Sequence, residues 1–541
     1  MTSAALGPET ISMKTRDGTR LDADLWRPDA PGRFPVLLMR QPYGRRIAST
    51  LVYAHPAWYA ERGYIVVVQD VRGTGSSEGR FRLFLDEEAD GAETVPWAAG
   101  LPGSSGRIGM YGFSYQAVTQ YLALAGGAEL HAMAPAMSGW DIRSDWAWEG
   151  GAFSLAAGLG WAAQMGWIKA RHDGDARAAA DLQAIARALP LQTAARAMPA
   201  AMLEHAAFSH YVDWITHPDP GAYWDAFAPR SRLAGRATDV PMLHIGGWYD
   251  QMLMGTLDGH ATIAAQTTAE QKLLIGPWTH QPWGRRVGAV DFGPGASSPV
   301  DEMQLAFFDR HLKGVGDALP PVRLFDLGAR TWTDLAHWPP VERRTLYLGG
   351  NGLAAATTNG GTLRPSPAED GADRFVHDPW RPVPTHGGHV GQPGGMQDRA
   401  AIDDRADVAC FTSAPLDAPI TICGPLQADL FVACDRTSFD ISATLAMVDP
   451  AGRSWNITQG HASFGDGTAG LRQIAMRATM ATIAPGWSLR LSVAGANFPA
   501  FPVNPGTGQS PSTTTAGEEG ISVVTIRHGL AHPSSLSLHT T

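Results

Sequence analysis

Short uninterrupted apolar runs alternate with polar, turn-forming stretches along the first part of the chain. Residues 34–39 and 64–68 contain no charged side chain, and turn residues follow each of them. Such runs are typical of strands that are buried on both faces of a mainly parallel sheet. Ahead of them, residues 11–25 alternate between apolar and polar on both sides of Asp17-Gly18, which predicts a β-hairpin closed by a tight primed turn.

The next apolar run enters a glycine, presents a serine and continues as a helix. Gly112 precedes Ser114 by one aromatic residue. The apolar positions that follow repeat with helical spacing at Ala117, Val118, Tyr121, Leu122 and Ala125. This strand–turn–helix pattern predicts a nucleophile elbow with Ser114 at its tip. Gln116 stands where the G-x-S-x-G motif has its second glycine, so an ordinary turn with a serine cap is the alternative.

The pattern then changes from strands to helices and back. A helix is predicted from about residue 86 to 99, helices dominate 141–234, and apolar runs at 240–245 and 272–275 resume the sheet. Beyond 320, short strands separated by proline, glycine and asparagine predict a sandwich or jelly roll. The predicted fold class is α/β: an α/β-hydrolase catalytic domain (1–140 and 235–319), a helical cap insertion (141–234) and a C-terminal all-β jelly-roll domain (320–541).

The composition is that of a globular protein. The 541 residues include 42 basic and 52 acidic side chains, a net charge of −10 that is spread along the chain, which argues against a nucleic-acid partner. No apolar run is long enough to span a membrane, and no secretory leader is visible. Cys410, Cys423 and Cys434 lack metal-binding spacing, so we expect a cytoplasmic, reduced chain that uses no metal and no cofactor.

A serine nucleophile needs a general base and an acid that orients this base. In α/β-hydrolases the acid and then the histidine follow the serine, each on a loop after a strand. Asp250 follows the 240–245 run and a pair of glycines, and His280 follows the 272–275 run. Taken singly, Asp250 has an alternative interpretation as a helix N-cap and His280 as a loop histidine bonded to a carbonyl. Their order after Ser114 favours a catalytic triad.

The oxyanion of a tetrahedral intermediate needs hydrogen-bond donors. The backbone N–H of Tyr115, directly after the serine, is one predicted donor. The loop after the 34–39 run should supply the second, and because it lacks a His-Gly-Gly motif, the Tyr43 hydroxyl is the predicted donor. The alternative for Tyr43 is a packed turn aromatic. Close to this site, Asp70 and Arg72 are expected to form an ion pair that braces the loops.

An ordered set of motifs runs through nearly the whole chain, at residues 40–43, 70–79, 112–115, 247–250, 276–280, 378–385, 497–499 and 504–508. Together these motifs resemble those of the cocaine esterase-like (CocE/NonD) hydrolases of the X-Pro dipeptidyl-peptidase superfamily. The resemblance implies that Ser114, Asp250 and His280 form the triad and that Tyr43 donates to the oxyanion. Ala117 departs from the glycine that is usual in this family, and we expect it to affect rate rather than reaction type.

Members of this family that hydrolyse α-amino acid esters carry acidic residues directly after the triad aspartate, which bind the substrate ammonium. Residues 251–254 carry no carboxylate here, while Asp145 and Glu149 in the cap stay open as counter-charges. A buried ammonium without a counter-charge is disfavoured, so we expect a neutral acyl group. The cap stretch that contains Trp148, Phe153 and Trp161 resembles the acyl-pocket lining of this family, so these residues, with Trp248, Met252 and Leu253, are the predicted pocket for a bulky or aromatic acyl group. The cap aromatics have the alternative role of packing cap against sheet.

The sequence therefore predicts a metal-independent serine hydrolase that cleaves small-molecule carboxylic esters through an acyl-enzyme. An amide-cleaving acylase or peptidase of the same superfamily is the nearest alternative, because the sequence does not reveal the leaving group. A non-catalytic binding protein with a vestigial triad is the alternative from another class. We expect no nucleic-acid and no membrane partner, and a homodimer stays open.

Overall fold

The computed structural model describes residues 4–46, 50–191, 198–236, 238–338, 342–514 and 517–541. Its N-terminal part contains a hairpin, the first strands of a sheet and the helices that flank them. The strands are β1 (Ala5–Lys14), β2 (Arg20–Pro28), β3 (Phe34–Gln41), β4 (Ile65–Asp70), β5 (Ser104–Phe113) and β6 (Ala132–Ala136). The helices are α1 (Pro56–Ala60), α2 (Glu87–Ala99) and α3 (Tyr115–Ala125), and α2 confirms the helix predicted at 86–99.

The predicted helical cap follows β6. A π-helical turn, Arg143–Ala147, leads into a small hairpin of β7 (Trp148–Glu149) and β8 (Ala152–Phe153). The helices are α4 (Leu155–His172), α5 (Ala176–Arg187), α6 (Ala200–Glu204), α7 (Tyr211–Thr216), α8 (Ala222–Asp225) and α9 (Pro229–Arg232). Asp175 starts α5 because its carboxylate accepts the Ala178 N–H at 2.9 Å. Residues 192–197 of the predicted cap lie outside the described residues.

The sheet resumes after the cap. Its strands are β9 (Met242–Tyr249) and β10 (Gln271–Thr279), then, after the separate hairpin of β11 (Arg286–Val287) and β12 (Val290–Asp291), β13 (Val322–Asp326) and β14 (Thr331–Leu335). Helix α10 (Leu253–Ala264) follows β9, and α11 (Val300–Phe308) continues as a π-helix over Asp309–Lys313. The order across the sheet is β1-β2-β4-β3-β5-β6-β9-β10-β13-β14.

Pairing is parallel from β4 across to β13 and antiparallel at both edges. Leu37 and Met39 pack in the core on one face of the sheet, and Val36 and Leu38 pack in a different cluster on the other face. Burial on both faces explains the continuous apolar runs. Because β5, β9 and β10 run in the same direction, their carboxyl ends meet at one edge, which is where ligands bind in open α/β sheets.

Two expectations about this domain need correction. The boundary predicted at 320 falls before β13 and β14, which belong to the first sheet, since Leu273 of β10 pairs in parallel with Val322. The hairpin of β1 and β2 is not closed by a tight primed turn. Instead, the Thr15 N–H donates to the Thr19 carbonyl at 2.9 Å, so three residues separate this bonded pair, and Gly18 among them is left-handed at φ +88°.

The C-terminal domain is an all-β sandwich, as predicted. Its strands are β15 (Arg343–Gly350), β16 (Gly361–Arg364), β17 (Gly371–His377), β18 (Val408–Ser413), β19 (Ile420–Cys434), β20 (Phe439–Val448), β21 (Ser454–Phe464), β22 (Gly470–Ile483), β23 (Ser488–Ala494), β24 (Ser522–His528) and β25 (Ser535–Thr540), with a short helix α12 (Ala400–Asp403). The long β19 pairs with β22, β24 and β25 and so connects these three strands within the domain. In the described residues, no helix is both long and apolar enough to cross a membrane.

Candidate active site

Ser114 occupies the tip of the turn between β5 and α3. Its backbone has φ +61° and ψ −125°, a strained conformation for a residue other than glycine. Gly112 permits the sharp turn, because it has φ +140° and a Cβ on it would lie 2.5 Å from Gln116 Cβ. This geometry is that of a nucleophile elbow, as the strand–turn–helix pattern predicts.

The departure of the motif at Gln116 has a structural explanation. The Gln116 Oε1 accepts the N–H of Phe113 at 3.1 Å, so its side chain satisfies a backbone donor on the strand side of the turn. Ala117 is fully buried, and its N–H donates to the Ser114 carbonyl at 2.9 Å. A glycine is therefore needed before the serine, at position 112, while residue 116 tolerates a long side chain.

Asp250 and His280 come together at the carboxyl ends of β9 and β10. The Asp250 Oδ1 lies 2.7 Å from His280 Nδ1, Asp250 is fully buried, and His280 retains about a quarter of its side-chain exposure. The two strand ends approach closely because Gly247 has no side chain: a Cβ there would lie 2.3 Å from the Trp278 carbonyl oxygen. With Nδ1 bonded to the acid, Nε2 is the imidazole atom that remains for a serine.

Tyr43 follows β3 and reaches the serine from the other side. Its hydroxyl accepts the indole N–H of Trp161 at 3.1 Å, and the Ser114 side chain is close enough to influence the pKa of Tyr43. Burial raises the pKa of Tyr43 to about 12, against the opposing effect of the Trp161 and Ser114 side chains. The hydroxyl therefore keeps its proton at neutral pH and is able to donate it.

Tyr115 is the first residue of α3, and the first N–H groups of a helix have no partner within the helix. Its side chain is anchored behind the elbow, where the hydroxyl donates to Glu87 at 2.7 Å and the ring stacks on Phe84 with centroids 4.5 Å apart. Glu87 in turn lies 2.7 Å from the guanidinium of Arg40, and all of these residues are buried. A buried ion pair thus helps to fix the side chain of Tyr115, the residue whose backbone N–H is the predicted oxyanion donor.

The cap supplies an aromatic wall beside Tyr43. Trp146 and Trp161 have ring centroids 4.4 Å apart, and Trp161 also packs on Trp214 at 5.5 Å. The predicted pocket residues Trp148 and Phe153 pack against each other at 5.3 Å, in the same apolar cluster that Trp161 joins from its edge. Met252, the buried residue before α10, belongs to this cluster too.

Trp248 and Leu253 do not join the residues around Ser114. The indole N–H of Trp248 donates to the Phe325 carbonyl at 2.6 Å, and its ring packs on Trp338, beside the edge of the sheet. Leu253 packs under the sheet near Gly246, in the core that contains Trp248. The structure therefore gives these two side chains packing contacts, and the predicted wall is restricted to cap residues and Met252.

The predicted ion pair between Asp70 and Arg72 is wrong. Asp70 pairs with Arg45, whose Nη1 lies 2.6 Å from its carboxylate, while Arg72 pairs with Asp90 at 2.6 Å and with Asp17 at 2.7 Å. Both side chains brace loops near the site, each with a partner from another element. Two residues close in sequence point to different neighbours because the chain turns between them.

Sequence reasoning missed two contributions to the site. Trp146 lies in the same tryptophan-rich stretch as Trp148, so the sequence was sufficient to include it among the candidates for the aromatic wall, where it stacks on Trp161. Arg477 of β22 could not be predicted in this way. Its guanidinium donates to the carbonyl oxygens of Asp250 and Gln251. A lone arginine in a strand of another domain carries no local signal of such a contact.

The fold, with Ser114, Asp250 and His280 each after a parallel strand of one sheet, defines an α/β-hydrolase with a cap and an appended β domain. The family model for the X-Pro dipeptidyl-peptidase (S15 family) matches residues 17–282, and that for its C-terminal non-catalytic domain matches 313–537. The cocaine esterase of Rhodococcus sp. (strain MB1 Bresler) is 36% identical over 98% of this chain and 97% of its own. The chain belongs to the cocaine esterase-like (CocE/NonD) hydrolases of the X-Pro dipeptidyl-peptidase superfamily.

Solved structures share the whole architecture at low sequence identity. An α-amino acid ester hydrolase is 20% identical with a TM-score of 0.82, covering 100% of this chain and 97% of that one. An aminopeptidase from a marine sediment Thaumarchaeota archaeon is 21% identical with a TM-score of 0.81, covering 98% and 96%. These similarities establish the fold alone. The identity with a protein named as an esterase supports an ester hydrolase.

Proposed function

We propose that this chain is a serine esterase that cleaves carboxylic esters with a neutral, bulky or aromatic acyl group through an acyl-enzyme. The observation that carries the proposal is the 2.7 Å contact between His280 Nδ1 and Asp250 Oδ1, at the same edge of the sheet as the elbow serine and the buried Tyr43 phenol. These groups are the base, the acid, the nucleophile and an oxyanion donor that ester cleavage requires.

In the proposed mechanism, His280 Nε2 takes the proton of Ser114 while the Ser114 oxygen bonds to the ester carbonyl carbon. The carbonyl oxygen becomes an oxyanion, to which the Tyr43 hydroxyl and the Tyr115 N–H donate. The ester C–O bond then breaks, and His280 returns its proton to the departing alkoxide. Water, deprotonated by the same imidazole, attacks the acyl-serine; the acyl C–O bond breaks, His280 returns the proton to the Ser114 oxygen, and the acid is released.

The preference for a neutral acyl group is supported by the two carboxylates that the sequence left open. Asp145 accepts the N–H groups of Trp140 and Asp141 at 2.9 and 2.7 Å, and burial raises its pKa to about 7. Glu149 lies 2.7 Å from His389 and 3.3 Å from Arg477, so its charge is already balanced. A substrate ammonium would compete with these partners rather than find a free carboxylate here.

The aromatic acyl preference rests on the cap wall. Trp161 bonds to the proposed oxyanion donor and stacks on Trp146, so flat apolar surface begins next to the proposed oxyanion site. Aromatic acyl groups gain from burial against such rings and from offset or edge contacts between them. Bulky aliphatic acyl groups are also stabilised by burial against these rings, but they lack the contacts between rings.

The decisive experiment compares wild type with Ser114→Ala, using a fluorophosphonate probe and an aryl ester. We expect the wild type to be labelled once and to turn over the ester, and the folded variant to do neither. Turnover by folded Ser114→Ala would overturn the mechanism. A wild type that is folded but neither labelled nor active would favour a binding protein with a vestigial triad.

The acyl preference is tested with two matched comparisons on the wild type. The 4-nitrophenyl esters of phenylacetic acid and of phenylglycine differ only by an ammonium group, and we expect kcat/KM to favour the neutral ester by about tenfold or more. The corresponding anilide of phenylacetic acid tests the leaving group. An anilide cleaved as fast as its ester would replace the esterase proposal by an amide-cleaving acylase.

A further inference from the structure

The loop that carries the triad acid is held by the C-terminal β domain. Arg477 of β22 donates from Nη2 to the Asp250 carbonyl at 2.9 Å and to the Gln251 carbonyl at 2.5 Å. The preceding residue, Tyr249, donates its hydroxyl to the Asn456 carbonyl of β21 at 2.8 Å. Three consecutive residues around the acid therefore have partners in a domain that the family description terms non-catalytic.

The cap contributes the counter-charge for this arginine. Glu149, in the small cap hairpin, lies 3.3 Å from Arg477 Nη1 and 2.7 Å from His389 Nε2. Burial of Glu149 opposes its ionisation, but His389 and Arg477 outweigh burial and hold its pKa at about 2. The hairpin itself is fixed to β21, because the Ser463 N–H donates to the Gly150 carbonyl at 2.8 Å. Catalytic domain, cap and β domain thus meet at one guanidinium group.

Arg477 makes more contacts than are needed to connect the cap with the β domain. Pairing with Glu149 alone would join cap and β domain, yet the guanidinium also holds the two carbonyls that fix the backbone of the acid. The Asp250 carboxylate must keep its 2.7 Å contact with His280 to orient the base. Catalysis is sensitive to displacements of about 1 Å in such groups. An anchor at Asp250 and Gln251 therefore acts where small displacements matter.

We propose that Arg477 is a positioning residue of the active site, which holds the backbone of Asp250 so that its carboxylate orients His280. The inference rests on the proposed serine-hydrolase function, and it assigns part of the catalytic geometry to the β domain. Arg477 touches no reacting atom in this arrangement. It acts through the acid.

The test compares Arg477→Met and Arg477→Lys with a matched control, Arg490→Met. Arg490 is another buried arginine of the β domain, paired with Asp403 at 3.4 Å and remote from the Asp250 loop in its contacts. We expect Arg477→Met to lower kcat on a neutral aryl ester by about ten- to a hundredfold with KM little changed. Arg477→Lys, which keeps a cationic donor, should recover most of the loss, and Arg490→Met should lower only thermal stability.

A readout independent of turnover is the low-field proton resonance of an Nδ1–H bonded to a carboxylate, assigned by its loss in His280→Gln. We expect this resonance in wild type and Arg490→Met, and its loss or upfield shift in Arg477→Met. Unchanged kcat and resonance in folded Arg477→Met, or an equal kcat loss in Arg490→Met, would overturn the proposal. If Arg477→Met does not fold, Arg477→Gln, which also lacks the cationic donor, takes its place, and wild-type kcat and resonance in folded Arg477→Gln would overturn the proposal. Inactive wild type with the resonance present would contradict the esterase proposal instead.

Discussion

The indole N–H of Trp161 donates to the hydroxyl oxygen of Tyr43 at 3.1 Å, which ties the cap to the phenol beside Ser114. Since the indole fills an acceptor site on the oxygen, the phenol proton remains available for another acceptor. The ring of Trp161 is itself fixed by Trp146 and Trp214. The orientation of the proposed oxyanion donor therefore depends on packing within the cap.

Tyr43→Phe removes the proposed oxyanion donor and keeps the ring. We expect kcat on a neutral aryl ester to fall by about a hundred- to a thousandfold with little change in KM, because the donor acts on charge that develops in the transition state. Steady-state kinetics on the purified variant measure this. Tyr53→Phe is the control, since the buried Tyr53 hydroxyl has no hydrogen-bond partner among the described residues. Equal kcat in Tyr43→Phe and wild type would exclude the hydroxyl as a donor.

Trp161→Phe keeps an aromatic ring and removes the bond to Tyr43. A neutral hydrogen bond contributes about 1 kcal/mol, so we expect kcat to fall by about tenfold at most. The control is Trp224→Phe, which removes the indole N–H that donates to the His217 carbonyl at 3.0 Å, elsewhere in the cap. Matching losses of kcat in both variants would attribute the effect to general loosening of the cap.

Glu87→Ala leaves the buried guanidinium of Arg40 without its partner at 2.7 Å and the Tyr115 hydroxyl without its acceptor. Removal of one partner of a buried ion pair costs about 3–5 kcal/mol, and urea unfolding should show a loss of this size. Glu88→Ala, the neighbouring position on α2, breaks a pair with the partly exposed Arg232 and should cost about 1 kcal/mol or less. Similar losses for both variants would contradict the proposed role of burial.

Asp145→Asn tests the pH dependence of stability. Burial raises the pKa of Asp145 to about 7 from its usual 3.8, so between these values the folded chain binds a proton that the unfolded chain has released. Stability therefore falls as pH rises through this range, by at most about 1.4 kcal/mol per pH unit from this group. The variant lacks this fall, and its unfolding free energy relative to wild type should increase as the pH is raised through this window. Parallel urea-unfolding profiles for the two proteins would contradict the assignment.

Local pattern was sufficient for the elbow. The apolar run before Gly112, the serine and the helical spacing after it describe backbone conformations that depend on neighbours a few residues away. The same holds for β3 and β4, whose continuous apolar runs follow from burial on both faces. Turn chemistry was less well determined, because Asp17-Gly18 fits both a two-residue turn and the longer connection that the structure contains.

Charge partners were decided by the tertiary structure. Asp70 and Arg72 are separated by one residue, yet Arg45 and Asp90 are their partners. Long polar side chains pair with whatever group of opposite charge shares their buried space, and sequence separation says little about that. The motif that contains Trp248 likewise does not predict that its indole points toward Phe325.

The sequence by itself determined the order of the chemistry, with Ser114, Asp250 and His280 each placed after a strand, because parallel strands bring their carboxyl ends to one edge whatever the loops do. The tertiary structure decided what supports that chemistry. Arg477 lies 227 residues after the carbonyl of Asp250 that it holds, and Trp161 lies 118 residues after Tyr43. Such contacts depend on how three domains pack, and no local pattern encodes the distance between atoms so far apart along the chain.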